Sequence, residues 1–125
     1  MTVGAVVIER LAGGTVLAAL SGEIDLASSM QTDEELSLAF ADARAAVLDM
    51  STLEYLDSAG AALLHRLARR LQDEGTVLHL VAPASSPAWR VIKLVQLDRV
   101  TPLFETQREA VEALRLADDP TRRVL

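Results

Sequence analysis

Ala45–Leu67 reads AAVLDMSTLEYLDSAGAALLHRL. Its first six residues, Ala45 to Met50, form a short apolar run of the kind found in a strand covered on both faces. Ser51 to Leu56 is mixed in character and reads as a polar loop. From Ser58 to about Glu74 the period becomes helical. Leu64, Leu67, Ala68 and Leu71 make one stripe, and Arg66, Arg69, Arg70 and Asp73 lie on the far side. Gly75 ends the helix in the usual C-terminal manner. A buried strand feeding an amphipathic helix is the repeating unit of an α/β domain.

The flanking sequence extends the same alternation. Upstream, Val6 to Arg10 and Thr15 to Ser21 are β-prone, and Gly13-Gly14 between them supplies the positive φ that a tight hairpin turn requires. From about Ser29 to Asp42, Leu36, Ala39, Phe40 and Ala43 fall at helical spacing, with Asp33, Glu34 and Asp42 turned outward. Downstream, Thr76 to Ala82 is a second buried strand. Ser86-Pro87 starts a third helix as cap and first residue, with Ala88, Val91, Ile92 and Val95 inward. Val100 to Phe104 is a short strand in which Pro102 implies an edge. Thr106 and Glu109 form a capping box that opens a last helix to about Leu116. The expected fold is one α/β domain over residues 1–117. It has a mixed sheet of four or five strands, an N-terminal hairpin and about four helices, packed mainly on one side. Residues 118–125 are expected to be a flexible tail.

Composition removes several classes of function. The 125 residues are half apolar, enough for one packed core, and carry a formal net charge of −6 with no basic stripe, which disfavours nucleic acid. There is no cysteine, hence no disulfide and no thiolate chemistry. The N-terminus has no basic n-region before Glu9, and no run approaches the ~20 apolar residues of a membrane span. The expectation is a soluble cytoplasmic protein. His65 and His79 have no ligand spacing, no phosphate-binding glycine loop is present, and Ser58 is not in a G-x-S-x-G elbow. Neither metal nor cofactor is expected, and the protein is not expected to be an enzyme.

Ser51 to Gly60, STLEYLDSAG, is where chemistry can sit. Asp57 is placed to cap the following helix, which puts Ser58 in a first turn whose N–H groups are unpartnered and whose dipole end is positive. Such a turn accepts an anion, so the fold tolerates a phosphate on Ser58. Ala59 and Gly60 carry minimal side chains and leave the hydroxyl open. The residues alone allow a plainer reading, in which Asp57 and Ser58 only cap the helix.

The quoted stretch resembles the signature of the STAS domain, a hydrophobic strand ending in Asp, then an Asp-Ser-Ser/Thr-Gly turn and a helix. LSGEIDLAS (Leu20 to Ser28) is similar to that family's Gly-Glu-Leu/Ile-Asp landmark. TVLHLVAPASSPAWRVIKLVQLDRVTPLFETQREAVEAL, from Thr76 to Leu114, follows the remainder of the pattern. The resemblance runs from about Val6 to Leu116 and is strongest with the anti-sigma factor antagonists. It implies that Ser58 is phosphorylated by a serine kinase that is also an anti-sigma factor. It further implies that the unmodified form binds this kinase and frees a sigma factor, and that a PP2C-type phosphatase restores it. Asp25, Asp57, Ala59 and Gly60 are the implied partner-binding residues, and the chain is expected to be a monomer or weak dimer. The acidic net charge would suit a basic docking patch on the kinase. Two positions depart from the pattern. Ala59 replaces the second hydroxyl residue, and Gln96 stands where glycine commonly precedes Leu-Asp. Two other classes remain open at this level. One is a non-catalytic STAS scaffold subunit of a stress-sensing assembly, the other a small serine hydrolase using Ser58.

Overall fold

The computed structural model describes residues 5–117, together with all side chains in that span except that of Leu26. The expected tail, 118–125, and the first four residues of the expected domain lie outside the described residues. Five strands, β1 (Ala5–Arg10), β2 (Thr15–Ile24), β3 (Ala45–Leu56), β4 (Val77–Val81) and β5 (Leu103–Phe104), form one sheet in the order β1-β2-β3-β4-β5. β1 and β2 are the antiparallel hairpin, turned at Gly13 and Gly14 with φ of +78° and +79°. The remaining pairs are parallel. Each parallel connection carries a helix: α1 (Leu26–Phe40), α2 (Ser58–Asp73) and α3 (Pro87–Leu94). α4 (Gln107–Ala117) follows β5.

Alternation along the strands sorts the interior into two cores. Val16, Ala18 and Leu20 of β2, Ala46, Leu48 and Met50 of β3 and Leu78 and Leu80 of β4 meet Leu36 and Phe40 of α1. The same cluster takes in Leu63, Leu64, Leu67 and Leu71 of α2 and Ala88 and Ile92 of α3. The opposite face carries Leu17, Val47 and Val81 against Ala110 and Leu114 of α4. Three helices thus cover one face and one covers the other, as the sequence implies.

Several boundaries differ from the sequence reading. Ser51 to Leu56 is not a loop, because β3 continues through it, paired to β2 at Ser21–Thr52, Gly22–Leu53, Glu23–Tyr55 and Ile24–Leu56. Two bulges break the period of two here, so Leu53 and Leu56 turn inward at a spacing of three and conceal the strand. β2 correspondingly runs to Ile24, and α1 begins at Leu26 rather than Ser29. Val100 to Phe104 is strand only at Leu103–Phe104, at the sheet edge, preceded by a 3-10 turn at Leu97–Arg99. Asp33 and Arg70, expected on outward faces, instead meet between α1 and α2 in a half-exposed ion pair of 2.7 Å.

Candidate functional site

In a parallel sheet the helices start beyond the carboxyl ends of the strands. Ile24 of β2 and Leu56 of β3 are register partners, and Asp25 and Asp57 are the next residues in each chain segment. The sheet therefore sets the starts of α1 and α2 side by side. Two acidic residues 32 positions apart in sequence occupy equivalent places.

Each acid is an N-cap. Asp57 is extended (φ −98°, ψ −170°), and its Oδ1 accepts a hydrogen bond from the Gly60 N–H at 3.0 Å. The Asp57 carbonyl accepts from the Ala61 N–H at 2.9 Å. Asp25 makes a reciprocal capping box. Its Oδ1 accepts from the Ser28 N–H at 3.0 Å, and the Ser28 Oγ accepts from the Asp25 N–H at 3.2 Å. Capping of this kind contributes about 1 kcal/mol per helix. Each carboxylate also lies at the positive end of a helix dipole.

Ser58 is the first residue of α2 and is exposed. Because Asp57 does the capping, the Ser58 hydroxyl is left out of it and forms no hydrogen bond among the described residues. Ala59 is half-buried. Gly60 faces inward and is buried. A Cβ there would stand 2.2 Å from Leu56 Cδ1 and 3.4 Å from Ile24 Cγ2. Its bare Cα lets the first turn of α2 settle onto the ends of β2 and β3, and so fixes how far Ser58 stands above the sheet.

Among the five site residues named from sequence, the fold thus brings Asp25, Asp57, Ser58, Ala59 and Gly60 to one end of the sheet, with Ser58 outermost. Sequence reasoning missed Ser28, although Asp25 and Ser28 carry the three-residue spacing of a capping box. It also missed Asp49, buried in the middle of β3, which accepts from the Ser51 N–H at 2.9 Å and from the Gln107 side-chain amide. That contact ties the start of α4 to the sheet 58 positions away, and nothing local signals it.

The histidines take no part in this end of the molecule. His79 is buried on β4 beside Phe104, ring centroids 4.9 Å apart, with Nδ1 3.0 Å from the Ala110 carbonyl. A carbonyl can only accept, so Nδ1 carries the proton. Burial pushes the imidazole below its usual pKa, partly opposed by that hydrogen bond. Among the described residues there is no cluster of three or more metal-ligating side chains, and no helix is long and apolar enough to cross a membrane.

The STAS domain profile matches residues 7–110. The anti-sigma-F factor antagonist RsfB of Mycobacterium tuberculosis is 30% identical over 103 residues, 82% of this chain and 83% of that protein. The crystal structure of an anti-sigma factor antagonist from Mycobacterium paratuberculosis superposes with a TM-score of 0.81. It is 29% identical and covers 90% of this chain and 95% of that one. The Bacillus cell fate determinant SpoIIAA, solved in its phosphorylated form, is 25% identical with a TM-score of 0.65, covering 89% of this chain and 100% of that one. By profile, by sequence and by fold, the chain belongs to the STAS domain family, among its anti-sigma factor antagonists.

Proposed function

We propose that the unmodified protein binds an anti-sigma factor that is also an ATP-dependent serine kinase, and so releases a sigma factor in the cytoplasm. Phosphorylation of Ser58 by that kinase ends the interaction, and a PP2C-type phosphatase reverses it. The observation that carries this reading is the state of Ser58, which is exposed, free of the capping network and set at a helix start able to hold an anion. The existence of a relative in a phosphorylated form supports it. In this role the protein is the substrate of the kinase and performs no catalysis of its own.

The switch is electrostatic exclusion. A phosphoserine adds about −1.5 to −2 charges at neutral pH. A patch of roughly 800 Å² centred near Ser58 would have to bury that group. Burying an ion without a cationic partner costs several kcal/mol, and about 1.4 kcal/mol is a tenfold loss of affinity. The monomer itself tolerates the phosphate, so binding is lost without unfolding.

Incubation with the cognate kinase and ATP, followed by mass spectrometry, tests the assignment. Phosphate is expected on Ser58 and absent from Ser58→Ala. In calorimetry Ser58→Ala should bind as wild type does, and Ser58→Asp at least tenfold more weakly. Phosphate on Ser28, Ser29 or Ser51 with Ser58 unmodified would refute it. Binding indifferent to a true phosphoserine would instead favour a scaffold role.

A further inference from the structure

The solvent face of α2 has a charge opposite in sign to that of the molecule. An α-helix advances about 100° per residue. Counted from Ser58, Ala62 lies about 40° away, His65 and Arg69 about 20° to either side, and Arg66 about 80°. The buried leucines Leu63, Leu64, Leu67 and Leu71 all lie more than about 110° away, and Ala61 and Ala68, also buried, lie about 60° and 80° away on the side opposite Arg66. Ser58, Ala62, Arg66 and Arg69 are therefore on one exposed face, with Ala62 leaving a low stretch between the serine and the arginines. Among the described residues neither Arg66 nor Arg69 is in an ion pair, whereas Arg70 is held by Asp33. The acid on that face, Asp73, is at its far end. Two free guanidinium groups below Ser58 thus interrupt a surface whose net charge is −6.

We infer that this face is a docking surface for an acidic patch on the partner that reads Ser58, an inference that rests on the function proposed above. The rise from Ser58 to Arg69 is about 16 Å, within the roughly 32 Å width of an 800 Å² patch. One partner can therefore cover the serine and both arginines together. The sign of the switch agrees. An acidic patch is attracted by Arg66 and Arg69 and repelled by a phosphate on Ser58, so the modification opposes the docking charge. A basic patch, the expectation from net charge alone, would be drawn to the phosphate. Charges placed in this way act chiefly on the rate of association.

The test compares two variants of equal charge. Arg66→Glu/Arg69→Glu and Arg10→Glu/Arg108→Glu each exchange two positive for two negative side chains, taking the net charge from −6 to −10 (−6 − 4), all at exposed positions. The probe is the anti-sigma kinase that modifies Ser58 in the assay above, and association is followed by stopped flow. The α2 variant is expected to associate at least tenfold more slowly than wild type at about 50 mM salt. At about 500 mM salt, where the Debye length has shrunk to a few ångströms, it should come within threefold. The remote variant should stay within about twofold throughout. Thermal melts matching wild type exclude misfolding, and Arg66→Gln/Arg69→Gln, which only neutralises, should give an intermediate rate. Equal rates for wild type and the α2 variant, or equal slowing by both double variants, would overturn the inference while leaving the Ser58 reading standing. If no kinase binds or modifies the wild type, both fall.

Discussion

Gln96 has φ of +61° and ψ of +30°, the left-handed conformation, and is the only described residue other than glycine with positive φ. It follows the end of α3, where the Val95 N–H donates to the Val91 carbonyl at 3.0 Å and the Gln96 N–H to the Lys93 carbonyl at 3.2 Å. Lys93 Nζ to Asp98 Oδ2, at 3.0 Å, spans the same turn, and that hydrogen bond holds the Asp98 carboxyl below its usual pKa. The backbone is thus committed, and the residue must bear the clash of its own Cβ. That clash costs roughly 1–2 kcal/mol for an L-residue. Gln96→Gly removes it and gives back roughly 0.5–1 kcal/mol through the greater freedom of glycine in the unfolded chain. The side chain is exposed, so little packing is lost. The net gain is about 0.5–1 kcal/mol. With an unfolding entropy of about 2.1 cal/mol/K per residue over 125 residues, this raises Tm by about 2–4 °C. Differential scanning calorimetry of wild type, Gln96→Gly and Gln96→Ala measures it. Alanine retains the Cβ and should give no gain. A glycine variant that melts at or below wild type would refute the strain argument.

Three further outcomes follow from the site and the cores. Asp57→Ala should lower stability by about 1 kcal/mol in urea titrations and fray the first turn of α2, with Asp25→Ala costing a similar amount in α1. Hydrogen exchange at the Gly60 amide should rise in the first variant and stay near wild type in the second. Gly60→Ala gains about 1 kcal/mol of helix propensity, but its methyl must displace Leu56, and overpacking costs about 1–3 kcal/mol. A net loss of up to about 2 kcal/mol is expected, and a stabilised variant would show that the turn has more room than the distances allow. Because the pKa of His79 is lowered on folding, the unfolded chain binds more protons than the native state below about pH 6.5. The contribution of His79 is present above that pH and lost as pH falls, by no more than about 1.4 kcal/mol per pH unit. His79→Phe should flatten this part of the stability profile, and an unchanged slope between pH 6.5 and 5 would count against it.

The fold was legible in sequence wherever one period held over a whole element. The stripe of α2 and the apolar runs of β3 and β4 gave the element types, and glycine, proline and capping residues gave most of their ends. The misreadings share a cause. Bulges at the end of β3 shift the inward residues to Leu53 and Leu56, so a genuine strand shows no alternation. Asp33 and Arg70 each read as solvent-facing because their partner is 37 residues away. At the site, Asp57 and Ser58 were local signals. The adjacency of Asp25 was not, because it depends on the register of two strands. In sequence Gly60 only leaves the hydroxyl open, whereas its smallness also serves a close approach to Leu56 that only the packed structure contains.

The sheet also divides the molecule into parts of unequal cohesion. α1, α2 and α3 share one large core, while α4 closes a smaller one of five buried residues, rimmed by half-buried ones such as Phe104 and Val111 and tied by hydrogen bonds to His79 and Asp49. Local opening is cheapest where the least apolar surface is held. The back of the sheet can loosen while the face bearing α2 keeps its shape. A spectroscopic label on α4 should therefore sense the breathing of the domain before one on α2 does. The two signals come from opposite sides of the same five strands.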